Sequence, residues 1–174
     1  DGNIYVMDGY GSNSMSRYAP DGKPLPFTGT GSHKLAIGVY RGYGPDVGLR
    51  GHCVAPNGDI YVIRSCNVGD GVGGKIGAVV DVFGADGKPK KQPLINNLGW
   101  ADCGIGVDAA GNVYLGVNVK PKDKPYPDAF MGKVPAEGWV WWKKPREGAW
   151  NHPYYNAYLY HWGSVARFGP EGGA

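Results

Sequence analysis

Two kinds of side chain in this sequence could do chemistry, oxygen donors in glycine-rich stretches and a dense run of aromatic rings. Asp8, Asn13, Asp70 and Asp102 are the oxygen donors. Carboxylate and amide oxygens are the donor types that hard divalent cations take. The same residue types are also ordinary turn formers. A zinc site needs about three imidazole or thiolate ligands and one open position, and His52, His152 and His161 are the imidazoles within reach. Tyr10, Arg50 and His52 are the candidates for a catalytic role. Cys53, Cys66 and Cys103 form no C-x-x-C pair, so neither haem attachment nor a zinc ribbon is expected, and they read as idle or buried thiols. Between Tyr126 and Trp162 lie eleven aromatics, five of the six Trp among them. Trp139, Trp141, Trp142, Trp150, Tyr155 and Trp162, with Trp100 and Arg64, are the binding candidates, because Trp, Tyr and Arg dominate recognition hot spots.

The remaining composition narrows the function classes. A net charge of +3 with scattered basic residues is too small for a phosphate-tracking surface, so no nucleic-acid partner is expected. No apolar run is long enough to span a membrane as a helix. Asp70-Gly71-Val72-Gly73-Gly74-Lys75 is glycine-rich but precedes a strand pattern rather than a helix, which disfavours a phosphate-binding loop. No Gly-x-Ser-x-Gly elbow occurs. Gly and Pro make up about a quarter of the chain, yet 42% of residues are hydrophobic and 13% aromatic; this is a globular composition with many turns.

The elements that must position these side chains are written as a repeat. Asn3-Ile4-Tyr5-Val6, Asp59-Ile60-Tyr61-Val62 and Asn112-Val113-Tyr114-Leu115 are one phrase, 56 and then 53 residues apart, each preceded by Gly. Downstream of each runs a second phrase: Arg17-Tyr18-Ala19-Pro20-Asp21-Gly22-Lys23, Val82-Phe83-Gly84-Ala85-Asp86-Gly87-Lys88 and Arg167-Phe168-Gly169-Pro170-Glu171-Gly172-Gly173. A period near 50 residues points to a propeller or solenoid whose units stack to bury a core. Ile4 and Val6 alternate with Tyr5 and Met7, Ile60 and Val62 with Tyr61 and Ile63, and Val80 and Val82 with Val79 and Phe83. Strands apolar on both faces belong to sheets covered on both sides. Asn57-Gly58, Ala110-Gly111, Asp21-Gly22, Asp86-Gly87 and Glu171-Gly172 are the expected tight turns, and Gly51–Ala55 with Asp59–Arg64 an expected hairpin.

These phrases resemble the NHL repeat and the gluconolactonase-like propellers over nearly the whole chain outside residues 119–161. The resemblance implies an all-β fold, a partial β-propeller of about three four-stranded antiparallel blades, with repeats starting near 1, 51 and 104. They would be strands two to four of one blade, a complete blade, and the first three strands of a third. Gluconolactonase-like enzymes hold one divalent cation at the channel mouth, which the resemblance would place near Asp8, Asn13, Asp70 and Asp102. Asp8-Gly9-Tyr10 is also similar to the opening of the propeller lyase that cleaves peptidyl-hydroxyglycine, in which the Tyr is catalytic. Here the following Cys is Gly11, the family's Arg falls on Ser14, and its metal-binding His falls on Arg50 and Cys103.

In a meander blade the loop between strands two and three shares an edge with the start of strand one. Asp8–Ser14, Ser65–Lys75 and Asn118–Trp162 should therefore crowd one rim with Asp46–Arg50 and Trp100–Cys103, and residues 119–161 should cap it. The resulting expectation is a binding or scaffold module that meets a protein or carbohydrate ligand on that rim. A metal-dependent hydrolase or lyase is the alternative, with Ca²⁺ or Zn²⁺ as its cation. The remaining blades of a longer, extracytoplasmic protein are the expected partners, and an isolated piece should self-associate through its uncovered end faces.

Overall fold

A computed structural model of the chain describes residues 2–9, 12–37, 48–68, 75–98, 101–119 and 162–172. All regular structure among them is β. The strands are β1 (Ile4–Asp8), β2 (Ser14–Tyr18), β3 (Lys34–Ala36), β4 (Gly48–Val54), β5 (Ile60–Val68), β6 (Lys75–Phe83), β7 (Pro89–Leu98), β8 (Ala101–Val107), β9 (Val113–Val119) and β10 (Trp162–Phe168). They pair into three antiparallel sheets in chain order: β1-β2-β3, β4-β5-β6-β7 and β8-β9-β10. The strand set of each sheet is the one the repeat implies, three, four and three. The expected hairpin forms, with β4 beginning three residues before Gly51 and β5 ending four residues after Arg64.

Five tight turns are chemically one turn. Ala19 N–H donates to the Lys23 carbonyl and Gly22 N–H to the Ala19 carbonyl, both at 2.8 Å. The same two bonds recur at Ala55–Asp59, Gly84–Lys88 and Asp108–Asn112, and the second of them at Gly169–Gly172. Each turn ends on a glycine in the left-handed region, with φ of 82° at Gly22, 84° at Gly58, 85° at Gly87, 82° at Gly111 and 75° at Gly172. This is a type I turn closed by a glycine bulge, a conformation any side chain bearing a Cβ would strain. The repeated x-Gly signal in the sequence is therefore a repeated backbone requirement.

Pairing register fixes which residues share a face, since directly opposed residues point the same way. Tyr5 lies opposite Arg17, Tyr61 opposite Val82 and Tyr114 opposite Arg167. Ile4 lies opposite Tyr18, Ile60 opposite Phe83 and Val113 opposite Phe168. Each sheet therefore has an Ile/Val face and a Tyr face. Between the first and second sheets, Ile60, Val62 and Phe83 bury against Met15, Leu35 and Ile37, with Tyr5 and Met7 alongside. Between the second and third, Val113 and Leu115 bury against Tyr61, Ile63, Val80 and Val82. The expected split of Val80 and Val82 from Phe83 is realised, since they enter different cores.

Stacking also aligns the edges. At one edge, Gly9 lies so close to the Leu49 backbone that a Cβ there would overlap the carbonyl. At the opposite edge, Gly29 N–H donates to the Asp86 carbonyl at 2.8 Å and Lys91 Nζ to the Glu171 carbonyl at 2.8 Å. The tight turns after β2, β6 and β10 thus share one edge, and the β1–β2 connection meets the start of β4 at the other.

Candidate functional site

The open edge carries the connections after β1, β5 and β9. Asp8 pairs with Ser14, Gly48 with Ser65, Val68 with Lys75, Ala101 with Val117 and Val119 with Trp162. The chain therefore leaves and re-enters each sheet at the end where β4 and β8 begin. The strand order argument from sequence rests on this geometry, and the described residues follow it.

Individual candidates fare differently. Asp8 accepts hydrogen bonds from Ser12 N–H at 2.7 Å and Ser12 Oγ at 2.9 Å, and Ser12 Oγ lies 2.6 Å from Ser14 Oγ. The carboxylate so holds its own loop in shape, an Asx-type arrangement. Asn13 takes a left-handed conformation in the same loop, φ 48°, one of the few non-glycine types that tolerate it. Arg50 occupies the point where the β4–β5 register shifts between Leu49 and Gly51. A bulge of this kind re-aims a side chain at a sheet edge, and Arg50 is half-buried there. These three residues share the open edge with Gly9.

His52 is not where the rim reading put it, and Arg64, opposite Leu49 at that edge, has its side chain turned inward. Arg64 is turned between the first two sheets at 2% exposure, its Nε donating to Asp81 Oδ2 at 2.5 Å. It lies one register step from the Val62–Asp81 pair on the Ile/Val face, so stacking encloses it. Burial pushes the Asp81 carboxyl above its ordinary value and the guanidinium partly offsets this. His52, opposite Val62, lines a cleft of about 450 Å³ with Asn3, Tyr5, Cys53 and Pro56. That cleft adjoins the β4–β5 turn and the start of β1, away from the open edge. Cys53 is a half-buried free thiol there.

Desolvation lowers the His52 pKa below its ordinary value. The unfolded chain then binds the proton more readily than the folded one between the lowered value and about 6.5. Stability should be complete above about pH 6.5 and fall as pH drops toward the lowered value. Melting curves of the chain and of His52→Gln at pH 5–8 check this. The variant should lose part of the slope between pH 6.5 and 5, and parallel profiles would refute the assignment.

Asp102 lies in β8, Cys66 in β5, Cys103 in β8 and Trp162 at the start of β10. Tyr10, Asp70, Trp100, Trp139, Trp141, Trp142, Trp150, His152, Tyr155 and His161 lie outside the described residues, as does the 120–161 part of the expected cap. Among the described residues no three His, Cys, Asp or Glu side chains converge on a metal-sized site. Nor is any helix among them long and apolar enough to cross a membrane.

Sequence reasoning missed three buried groups that order the sheets behind this edge. Asp59 is buried and accepts both a bidentate contact from Lys90 Nζ, at 2.7 and 2.8 Å, and a bond from Asn57 Nδ2 at 3.0 Å. That contact raises the Lys90 pKa. Asp81 is the buried partner of Arg64, and Phe27 is a fully buried ring in the β2–β3 connection. An Asp inside the apolar run Val79–Phe83 was the one available signal. Compared with models of protein families, with curated proteins and with solved structures, the chain finds no match.

Proposed function

We propose that the chain is a partial β-propeller serving as a binding or scaffold module, recognising a protein or carbohydrate ligand at its open edge. The observation that carries the reading is that the connections after β1, β5 and β9 and the bulged Arg50 gather at one edge, while the five tight turns lie at the other together with the longer Ala19–His33 connection. Rigid stacked sheets presenting variable loops on one edge are a common platform for recognition. The sequence inserted between Val119 and Trp162 supplies the rings, and it departs from and returns to that edge. Aromatic rings interleaved with Pro and Lys, as in Trp139-Val140-Trp141-Trp142-Lys143-Lys144-Pro145, suit the flat apolar faces of sugars or a partner's surface.

The test is a soluble oligosaccharide array followed by titration of any binder against intrinsic Trp fluorescence. Trp142→Ala should weaken binding about tenfold or more, as loss of a hot-spot ring does, and leave the melting temperature unchanged. If truncating Trp139, Trp141 or Trp142 instead costs about 3–5 kcal/mol of stability with no change in binding, the rings are a satellite core and the reading fails.

A further inference from the structure

The two outer faces of the stack are complementary to each other. At both internal interfaces the Ile/Val face of one sheet covers the Tyr face of the sheet before it. Ile60, Val62, Val113 and Leu115, which make those covers, are fully buried. Their counterparts in the first sheet, Ile4 and Val6, are 46% and 50% exposed. On the far side, Tyr114 takes the place of buried Tyr61, and Val165 that of buried Val80, yet Val165 is 70% exposed. Among the described residues, one end thus shows an exposed covering face and the other an exposed receiving face.

We propose that the occupant of these faces is a second copy of this chain, docked head to tail. The first sheet of one copy covers the third sheet of the next and continues the interface already made twice within the chain. The repeat supplies one polar contact to go with the apolar one. Arg17, on the receiving face of the first sheet, reaches across the interface and donates to the carbonyl of Ala85, the second residue of the next sheet's tight turn, at 3.3 Å. Arg167 holds the same register position in the third sheet and is exposed. The residue matching Ala85 in the first sheet's turn is Pro20. In the docked pair Arg167 donates to the Pro20 carbonyl of the neighbouring copy. An interface of this kind is heterologous, so it closes into a ring or continues. The inference does not depend on what binds the open edge.

The experiment is sedimentation of the 174-residue chain at up to about 100 µM, within the range in which weak specific interfaces form. The unmodified chain should run as a dimer or larger. Val6→Glu and Val165→Glu, both at exposed positions, should keep the far-UV spectrum and the denaturation midpoint of the unmodified chain, and each should run as a monomer. Mixed one to one, they should form a dimer, because each retains the face the other lacks. Arg167→Ala should weaken association about tenfold, as loss of a charged hydrogen bond does. A monomeric unmodified chain would overturn the proposal by showing that something other than a copy covers these faces. Persistent association of Val165→Glu alone would indicate face-to-face pairing of like ends, and a mixture that stays monomeric would exclude head-to-tail docking; either outcome rejects it.

Discussion

Asp81→Ala should destabilise the chain by about 3–5 kcal/mol, the cost of breaking a buried ion pair by removing one member. Asp81 is fully buried and Arg64 nearly so, and the guanidinium cannot shed its proton to escape the cost. The pair sits between the first and second sheets, where it lines a cleft with Lys34, Leu35, Ile37 and Phe83 but keeps only 1–2% of each side chain exposed. Arg64→Met alone should cost in the same range by stranding the carboxylate, although Asp81 can partly relieve this by protonation. Replacing both with apolar residues, as in Arg64→Met with Asp81→Leu, should recover most of the loss, because a packed apolar pair avoids desolvation. Urea unfolding of the three variants measures this. A loss below about 1 kcal/mol for Asp81→Ala, the scale of a surface pair, would mean that the pair is solvated and the sheets do not close over it.

Phe27→Ala should cost about 3–5 kcal/mol, the range for removing a buried aromatic ring. The β2–β3 connection curls around this residue: Phe27 N–H donates to the Ser32 carbonyl at 2.8 Å, and its own carbonyl accepts from Thr30 and Gly31 at 3.1 and 2.8 Å. The ring enters the core between the first two sheets, with the Arg17 guanidinium 4.9 Å from its centroid. It also sits against Gly87, where an added Cβ would come within 2.9 Å of the Phe27 Cβ. Truncation would therefore empty a cavity and release the guanidinium that bridges to Ala85. Phe27→Leu, which keeps most of the apolar volume, should recover more than half of the loss. The expected signature is a lower denaturation midpoint at constant m; a midpoint shift equivalent to less than about 1 kcal/mol would place Phe27 outside the core.

The strands and turns were legible in the sequence because their causes are local. A glycine that must be left-handed, in three of the five turns with an Asp or Asn before it, and an alternating apolar run all act within about ten residues. The open edge was legible for the same reason, since strand order and antiparallel pairing determine which connections share an end. Asp8, Asn13 and Arg50 lie at that edge as expected. His52 lies farther along β4, and Arg64 is at the edge by register but turned inward, because a residue's place along a strand says nothing about whether a neighbouring sheet will close over its face.

By itself, then, the sequence determined an all-β chain of three antiparallel sheets, their strand sets and their repeated turns. Only the tertiary structure decided which faces meet. Ile4, Ile60 and Val113 are one position in the repeat, yet the last two are buried and the first is half-exposed. Burial there depends on the presence of a preceding sheet, which no local pattern encodes. The same holds for Arg64 with Asp81 and for Phe27 under Arg17. Their partners are brought together by sheet pairing and stacking, so their energies exist only once the sheets have assembled.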